Sequence, residues 1–308
     1  MKTVAENEIL QDALTKVTPG PLIGFGGLTV APLLRFDAAD PDWLTLDEAI
    51  AAGSLTVTEV SQAGSVPTLR VVNGGERAVL LLDSEELVGA KQNRILNTSM
   101  LIGSGQTVEI PVSCVEQGRW AYRSRAFRGA PRSLYASLRR KKAARVYESL
   151  LVGAGHRADQ GEIWAHLEER AEAFGVASAT CAMADVFESR AGDLAAYQET
   201  FRPLAGQVGA VVYGGGEWWG LELLPGPALF GKAWARLLPG YAMDALFARV
   251  AADPRESAAE RLGVILQASA EAFPAVGLGE DYRLRGAGFI GAALLAEGRV
   301  AHLMGLPR

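Results

Sequence analysis

Between residues 55 and 115 the chain consists of short β-branched runs cut by glycine turns, and this pattern constrains the fold more than any other feature. Runs at 55–60, 69–72, 77–82, 95–102 and 107–115 predict strands, with Asn73-Gly74-Gly75 and Gly103-Ser104-Gly105 turning two hairpins. Short strands joined this tightly favour an antiparallel sandwich or barrel, because parallel neighbours need long crossovers.

After residue 133 the periodicity becomes helical, over 134–151, 162–174 and 183–201. Upstream, a short polar helix is expected within 1–20, ended by Pro19-Gly20-Pro21, and a strand at 28–34. Thr45-Leu-Asp-Glu48 is a capping box that starts a short helix, with Gly53 just past its end. Beyond Pro203 come strands at 208–213 and 218–224, helices at 230–250 and 256–273, and a hairpin within 282–306 turning at Gly298. Trp218, Trp219, Trp234 and Tyr241 have the spacing of core residues. The expected fold is α+β. A β-rich part over 1–132, sandwich- or barrel-like, carries the candidate site. A helical middle and a mixed C-terminal region over 133–308 pack on it as one compact unit, and 308 residues suffice for a large core.

The net charge of −5 hides an uneven distribution. Residues 117–147 carry ten of the 30 Lys and Arg residues and no acid. The first half of this island interleaves Arg119, Arg123, Arg125, Arg128 and Arg132 with Trp120, Tyr122 and Phe127 around the breakers Gly129 and Pro131, so it reads as a loop. Guanidinium groups beside stacking rings suit phosphates and bases. The second half, Arg139, Arg140, Lys141, Lys142 and Arg145, falls on a predicted helix and reads as solvated surface. An acidic total argues against a protein whose whole surface tracks nucleic acid.

Other classes lack support. Two cysteines make no disulfide framework, and three dispersed histidines make no zinc motif, although a carboxylate-held magnesium stays open. The N-terminus has no signal-type apolar stretch and no run is long enough for a membrane span, so a cytoplasmic location is expected. Gly286-x-Gly288-x-x-Gly291 matches the dinucleotide fingerprint only in letters. It is assigned to a glycine hairpin, since 281–285 does not read as a buried strand and no acidic residue follows at the needed distance. No phosphate loop and no Gly-x-Ser-x-Gly elbow is present.

The densest chemistry lies between Asp83 and Trp120. An apolar strand (79–82) runs straight into Asp83, Glu85, Glu86, Lys91, Gln92, Asn93 and Arg94, as at a strand edge opening onto a site. Alternation then places Val112, Cys114 and Glu116 on one face, so Glu116 needs a buried partner, and Arg94 and Arg119 are the nearest arginines. A structural Glu–Arg pair and a packing cysteine are the plain alternatives.

Glu85-Glu86-Leu-Val-Gly-Ala-Lys91-Gln92-Asn93-Arg94, then Asn97, then Ile110-Pro-Val-Ser-Cys114-Val-Glu116-Gln-Gly-Arg119-Trp120 resembles the ADP-ribosylglycohydrolase- and rhodanese/phosphatase-associated protein domain family. Lys232-Ala-Trp234 and Tyr241-Ala-Met-Asp244-Ala fit its C-terminal half, so the resemblance spans nearly the whole chain. It implies a role in NAD or ADP-ribose metabolism through genomic company, as a hydrolase or transferase with no established reaction. It also implies that the 85–94 and 114–120 segments form one site.

The resulting expectation is an intracellular enzyme acting on a nucleotide-like or ADP-ribose-derived phosphate compound, with any cofactor unknown. Arg94, Arg119 and Lys91 would hold phosphate, Gln92, Asn93 and Asn97 would orient ribose or base, and Trp120 would stack. Glu85, Glu86 or Glu116 would move protons, with Cys114 more than packing. The competing expectation is a non-enzymatic module contacting nucleic acid or a protein through 119–145; a purely structural, oligomer-forming protein is the third.

Overall fold

The computed structural model describes residues 2–248 and 252–308. Among these the strands form a ten-stranded, a six-stranded and a three-stranded sheet, with helices packed between and around them. The fold is α+β, with antiparallel sheets and a half-barrel in its N-terminal part.

The half-barrel is the six-stranded sheet, in the order Phe127–Ser133, Glu85–Gly89, Arg94–Leu96, Thr107–Cys114, Thr68–Asn73, Leu55–Glu59. Its outer strands approach each other at a Thr58–Ala126 bridge, which curls the sheet. Leu55, Val57, Leu69, Val71, Leu87 and Val112 fill the concave side. The ten-stranded sheet draws on both ends of the chain. Lys2–Thr3 pairs with Ser269–Pro274, and Leu28–Leu34 pairs with Gln207–Gly214, so it crosses the boundary expected near 132.

Several elements differ from the sequence reading. The expected strand 95–102 divides in two: Arg94–Leu96 pairs with Thr107–Cys114, whereas Met100–Ile102 leaves for Val79–Leu81 in the three-stranded sheet. Asn97, Thr98 and Ser99 make the crossing. The helix expected at 256–273 stops at Leu266, and Ser269–Pro274 is a strand. The helix at 183–201 breaks into Met183–Glu188 and Ala191–Thr200. Gly129 and Pro131 lie in an edge strand, where a missing N–H is tolerated. The 281–285 segment is a strand after all, with Asp281, Arg283 and Leu284 buried, and Gly286–Gly288 turns its hairpin into Phe289–Ala296.

Helix Pro227–Ala248 runs through the largest core, where Phe230, Trp234 and Tyr241 are buried. Residues 249 and 250 of the expected helix lie outside the described residues. Asp40 accepts the N–H groups of Ala228 and Leu229 (3.0 and 2.8 Å) and so caps the helix from a distant loop. Pro239 lies inside it and frees the carbonyl of Ala235, which takes a bond from Gln198 Nε2 at 3.4 Å.

The basic island also departs from expectation. Arg139 and Lys142 are fully buried. Lys142 Nζ reaches Asp83 Oδ2 (2.6 Å) and the Leu96 carbonyl (2.8 Å), and Arg139 Nη1 reaches Glu222 Oε1 (2.5 Å). In the helical half of the island, Arg140, Lys141 and Arg145 keep partial or full exposure.

Candidate functional site

The turn joining Glu85–Gly89 to Arg94–Leu96 organises the region. Gly89 (φ 130°) and Ala90 (φ 38°) bend it sharply, and a Cβ on Gly89 would meet the Ala126 carbonyl at 3.0 Å. Arg119 staples this turn. Its Nη1 donates to the carbonyls of Ala90 (2.6 Å) and Ala121 (2.8 Å), and its Nη2 to Gly89 O and Asn93 Oδ1 (both 3.3 Å). Nε and Nη2 fork onto Glu116 at 2.9 and 2.7 Å.

Glu116 is equally engaged, accepting also from Asn93 N (3.1 Å) and Thr180 Oγ1 (3.1 Å). Burial raises its pKa, but the bonds from Arg119 and Asn93 outweigh this and hold the carboxyl below the usual range. Arg119 therefore has no N–H left for phosphate, and Glu116 is built to stay ionised. Both act as scaffold for what surrounds them.

A cleft of about 470 Å³ opens beside this staple. Asn93, Glu116 and Thr180 line it together with Arg123, Arg128 and Arg132, and Asp185 and Glu188 belong to the same wall set. Arg132 is held by Glu86, which also accepts from Asn93 Nδ2 at 3.2 Å. Burial dominates at Glu86 and raises its carboxyl despite Arg132. Arg123 and Arg128 are exposed, with Arg123 Nη2 3.9 Å from Glu116.

The other expected residues point elsewhere. Arg94 pairs across the strands with Cys114, on the half-barrel side with Leu96, while Asn93 turns toward the cleft. Lys91, Gln92, Arg94, Cys114 and Trp120 gather at the end of the half-barrel: the Cys114 thiol donates to Gln92 Oε1 (3.1 Å), and the ring of Trp120 lies 5.6 Å from Arg94 Cζ. Burial pushes the Cys114 thiol up to about 11, the wrong direction for a thiolate nucleophile. Glu85 neighbours Glu86 in a strand and faces the other way, taking Arg236 Nη1 (3.0 Å) and Leu82 N (2.9 Å). Asn97 accepts from Ser113 Oγ (2.8 Å), donates to the His156 carbonyl (3.0 Å) and does not line the cleft.

The chain belongs to the ARPP-1 family. The model of that family, the ARG and Rhodanese-Phosphatase-superfamily-associated Protein domain, matches residues 16–306. No curated protein matches the chain, and no solved structure does. The ARPP-1 match spans the half-barrel, the cleft and most of the ten-stranded sheet, so these belong to one family unit.

Sequence reasoning missed Thr180, Asp185 and Glu188, which reach the cleft from a segment some sixty residues after Glu116; no local pattern marks them. It also missed Glu59, whose side chain is buried beside Arg94. Alternation within Leu55–Glu59 places Leu55, Val57 and Glu59 on one inward face, and that signal was present. Among the described residues no three His, Cys, Asp or Glu side chains are grouped to hold a metal, and no helix is long and apolar enough to cross a membrane.

Proposed function

We infer that the cleft binds a nucleotide-like phosphate compound and that the ARPP-1 domain acts on it as an enzyme. One observation carries this reading: Arg123, Arg128 and Arg132 line a single cleft of about 470 Å³, within the volume range of small-molecule sites. Arginine presents paired donors matched to phosphate oxygens, and Arg132 is pre-oriented by Glu86. Asn93 and Thr180 add neutral polar groups for hydroxyls or a base.

Proton transfer in this reading falls to Asp185 or Glu188. They line the cleft, whereas Glu116 is saturated and Glu86 sits behind Arg132. Asp185 accepts from Ser178 Oγ at 2.5 Å, which fixes one of its oxygens and leaves the other free to face a ligand. The link of the family's name to ADP-ribosylglycohydrolase agrees with an ADP-ribose-derived ligand.

Calorimetric titration with ADP-ribose, NAD and AMP tests this directly. At least one should bind, and the Arg123→Ala/Arg128→Ala double variant should bind it at least about tenfold more weakly, as expected for losing charge-assisted hydrogen bonds. Absence of binding to all three, or equal affinity in the double variant, overturns the reading. The nucleic-acid alternative loses two of its cations, because Arg139 and Lys142 are inside the protein, and Arg145 is paired with Glu148 and Glu162.

A further inference from the structure

A second cavity, of about 350 Å³, lies where helices Ala136–Leu151, Gln160–Phe174 and Pro227–Ala248 meet the paired strands Glu217–Leu223 and Arg299–Pro307. It shares no lining residue with the arginine cleft. One wall is a polar knot around Asp244. One Asp244 oxygen accepts from Ser137 N (2.7 Å), the other from Ser137 Oγ and Arg170 Nη2 (3.0 and 2.7 Å). Arg170 Nε donates to His166 Nε2 at 3.4 Å. Burial, with Arg170, Lys141 and Arg140 nearby, pushes His166 down to about 4, so the ring is neutral at pH 7.

Two arginines keep donors to spare beside this knot. Arg170 Nη1 enters none of these bonds and is not sealed by burial. Arg140, half-buried in the cavity lining, makes no hydrogen bond and no ion pair among the described residues. Arg140 and Arg170 against the committed Asp244 leave one positive charge.

The remaining lining is apolar, formed by Ala136, Trp219, Phe247 and Pro307. Its two rings are held in place. Phe247 has Arg170 Cζ 4.3 Å from its ring centre and the ring of Phe174 at 4.5 Å. Trp219 packs over Gly214, where a Cβ would strike the indole. Both rings still reach solvent, Phe247 with 37% of its surface exposed.

We propose that this cavity binds a small monocarboxylate with a flat apolar body. The carboxylate accepts from Arg140 and from Arg170 Nη1 and balances the surplus charge, while the body lies against Trp219 and Phe247. A phosphate dianion fits worse, because the apolar walls offer nothing to its other oxygens once its water is stripped. Ligand sites span about 300–1,000 Å³. This cavity stands at the small end of that range, which suits a fused two-ring acid better than a nucleotide.

Calorimetric titration of the full chain at pH 7 with 2-naphthoate tests the proposal. Its controls are 2-naphthamide, the same body without the charge, and acetate, the charge without the body. The naphthoate should bind at least about tenfold more tightly than the amide, as expected for charge-assisted hydrogen bonds, and acetate should give no saturable heat. Arg140→Gln should bring the naphthoate down to the level of the amide. Phe247→Ala should weaken acid and amide alike, at least about threefold, as expected for one lost ring contact. The Arg123→Ala/Arg128→Ala variant should keep the naphthoate even where it loses the nucleotide, which separates this cavity from the cleft. If Phe247→Ala fails to fold, the Arg140→Gln comparison decides. No saturable binding of the naphthoate, equal binding of acid and amide, unchanged affinity in Arg140→Gln or in folded Phe247→Ala, or loss in the cleft variant overturns the proposal.

Discussion

Arg119 and Glu116 close on each other through two parallel hydrogen bonds, and every remaining N–H of Arg119 goes to the turn at 89–93 or to Ala121. The pair is thus the fastener between the half-barrel and the arginine loop. Arg119→Lys keeps the charge and loses the planar fork. We expect a loss of about 3 kcal/mol in denaturant unfolding, in the range for breaking a buried pair, together with weaker nucleotide binding as the cleft wall loosens. A stability within 0.5 kcal/mol of the parent, the ordinary range of a surface change, would remove the fastener role.

The two cysteines should differ sharply in reactivity. Cys114 is buried and its thiol is pushed up to about 11, whereas Cys181 is exposed. Alkylation of the folded protein at pH 8, followed by mass spectrometry, should modify Cys181 and spare Cys114. Rapid modification of Cys114 would show that this end of the half-barrel is far more open, and the thiol far more acidic, than the geometry allows.

Lys142 and Asp83 form a buried pair that joins the first long helix after the half-barrel to the strand edge. Lys142→Met leaves the Asp83 carboxylate with Arg139 at 3.6 Å and Ser84, and should cost about 3 kcal/mol or more. Adding Asp83→Asn should restore at least about half of this, because the stranded charge is gone. Additive losses in guanidinium melts of the two single variants and the double would contradict the pairing.

Glu222 sets the response to acid. Burial raises its carboxyl, but Arg139 and His302 overcome this and hold it at about 2, against 4.5 for a free side chain. A carboxyl lowered in the folded state contributes its stability above the unfolded value and loses it as pH falls from 4.5 toward 2, a loss of about 3 kcal/mol. Urea midpoints should drop through that window. Glu222→Gln should be less stable at pH 7 and flatter between pH 4.5 and 2; a parallel drop in the variant would assign the acid limb to other groups.

Much of the fold was legible. Leu28–Leu34 and the capping box of Thr45 and Glu48 rest on neighbours within a few residues, and they stand as read. The hairpin expected around Asn73–Gly75 does not form, because Thr68–Asn73 pairs with Leu55–Glu59 and Thr107–Cys114 while Val79–Leu81 joins the three-stranded sheet. The split of 95–102 was not legible, because both halves have strand composition and only the partners differ. Arg139 and Lys142 were misread for a different reason. Their spacing puts them on one helical stripe with Val146, also buried, but the count of adjacent charges masked that periodicity.

The sequence by itself determined what local sterics and periodicity control: the α+β class, the strand alternation that buries Cys114 and Glu116, the need of Glu116 for an arginine, and membership of a family through two specific segments. Tertiary structure alone decided which face each polar residue serves. It sent Asn93 to the cleft and Arg94 to the half-barrel, brought Asp185 and Glu188 opposite the arginine loop, and joined Asp83 to Lys142 and Glu222 to Arg139. Such choices depend on which distant groups meet in the low-dielectric interior. There a charge must find its partner across scores of residues, and no local pattern along the chain encodes that meeting.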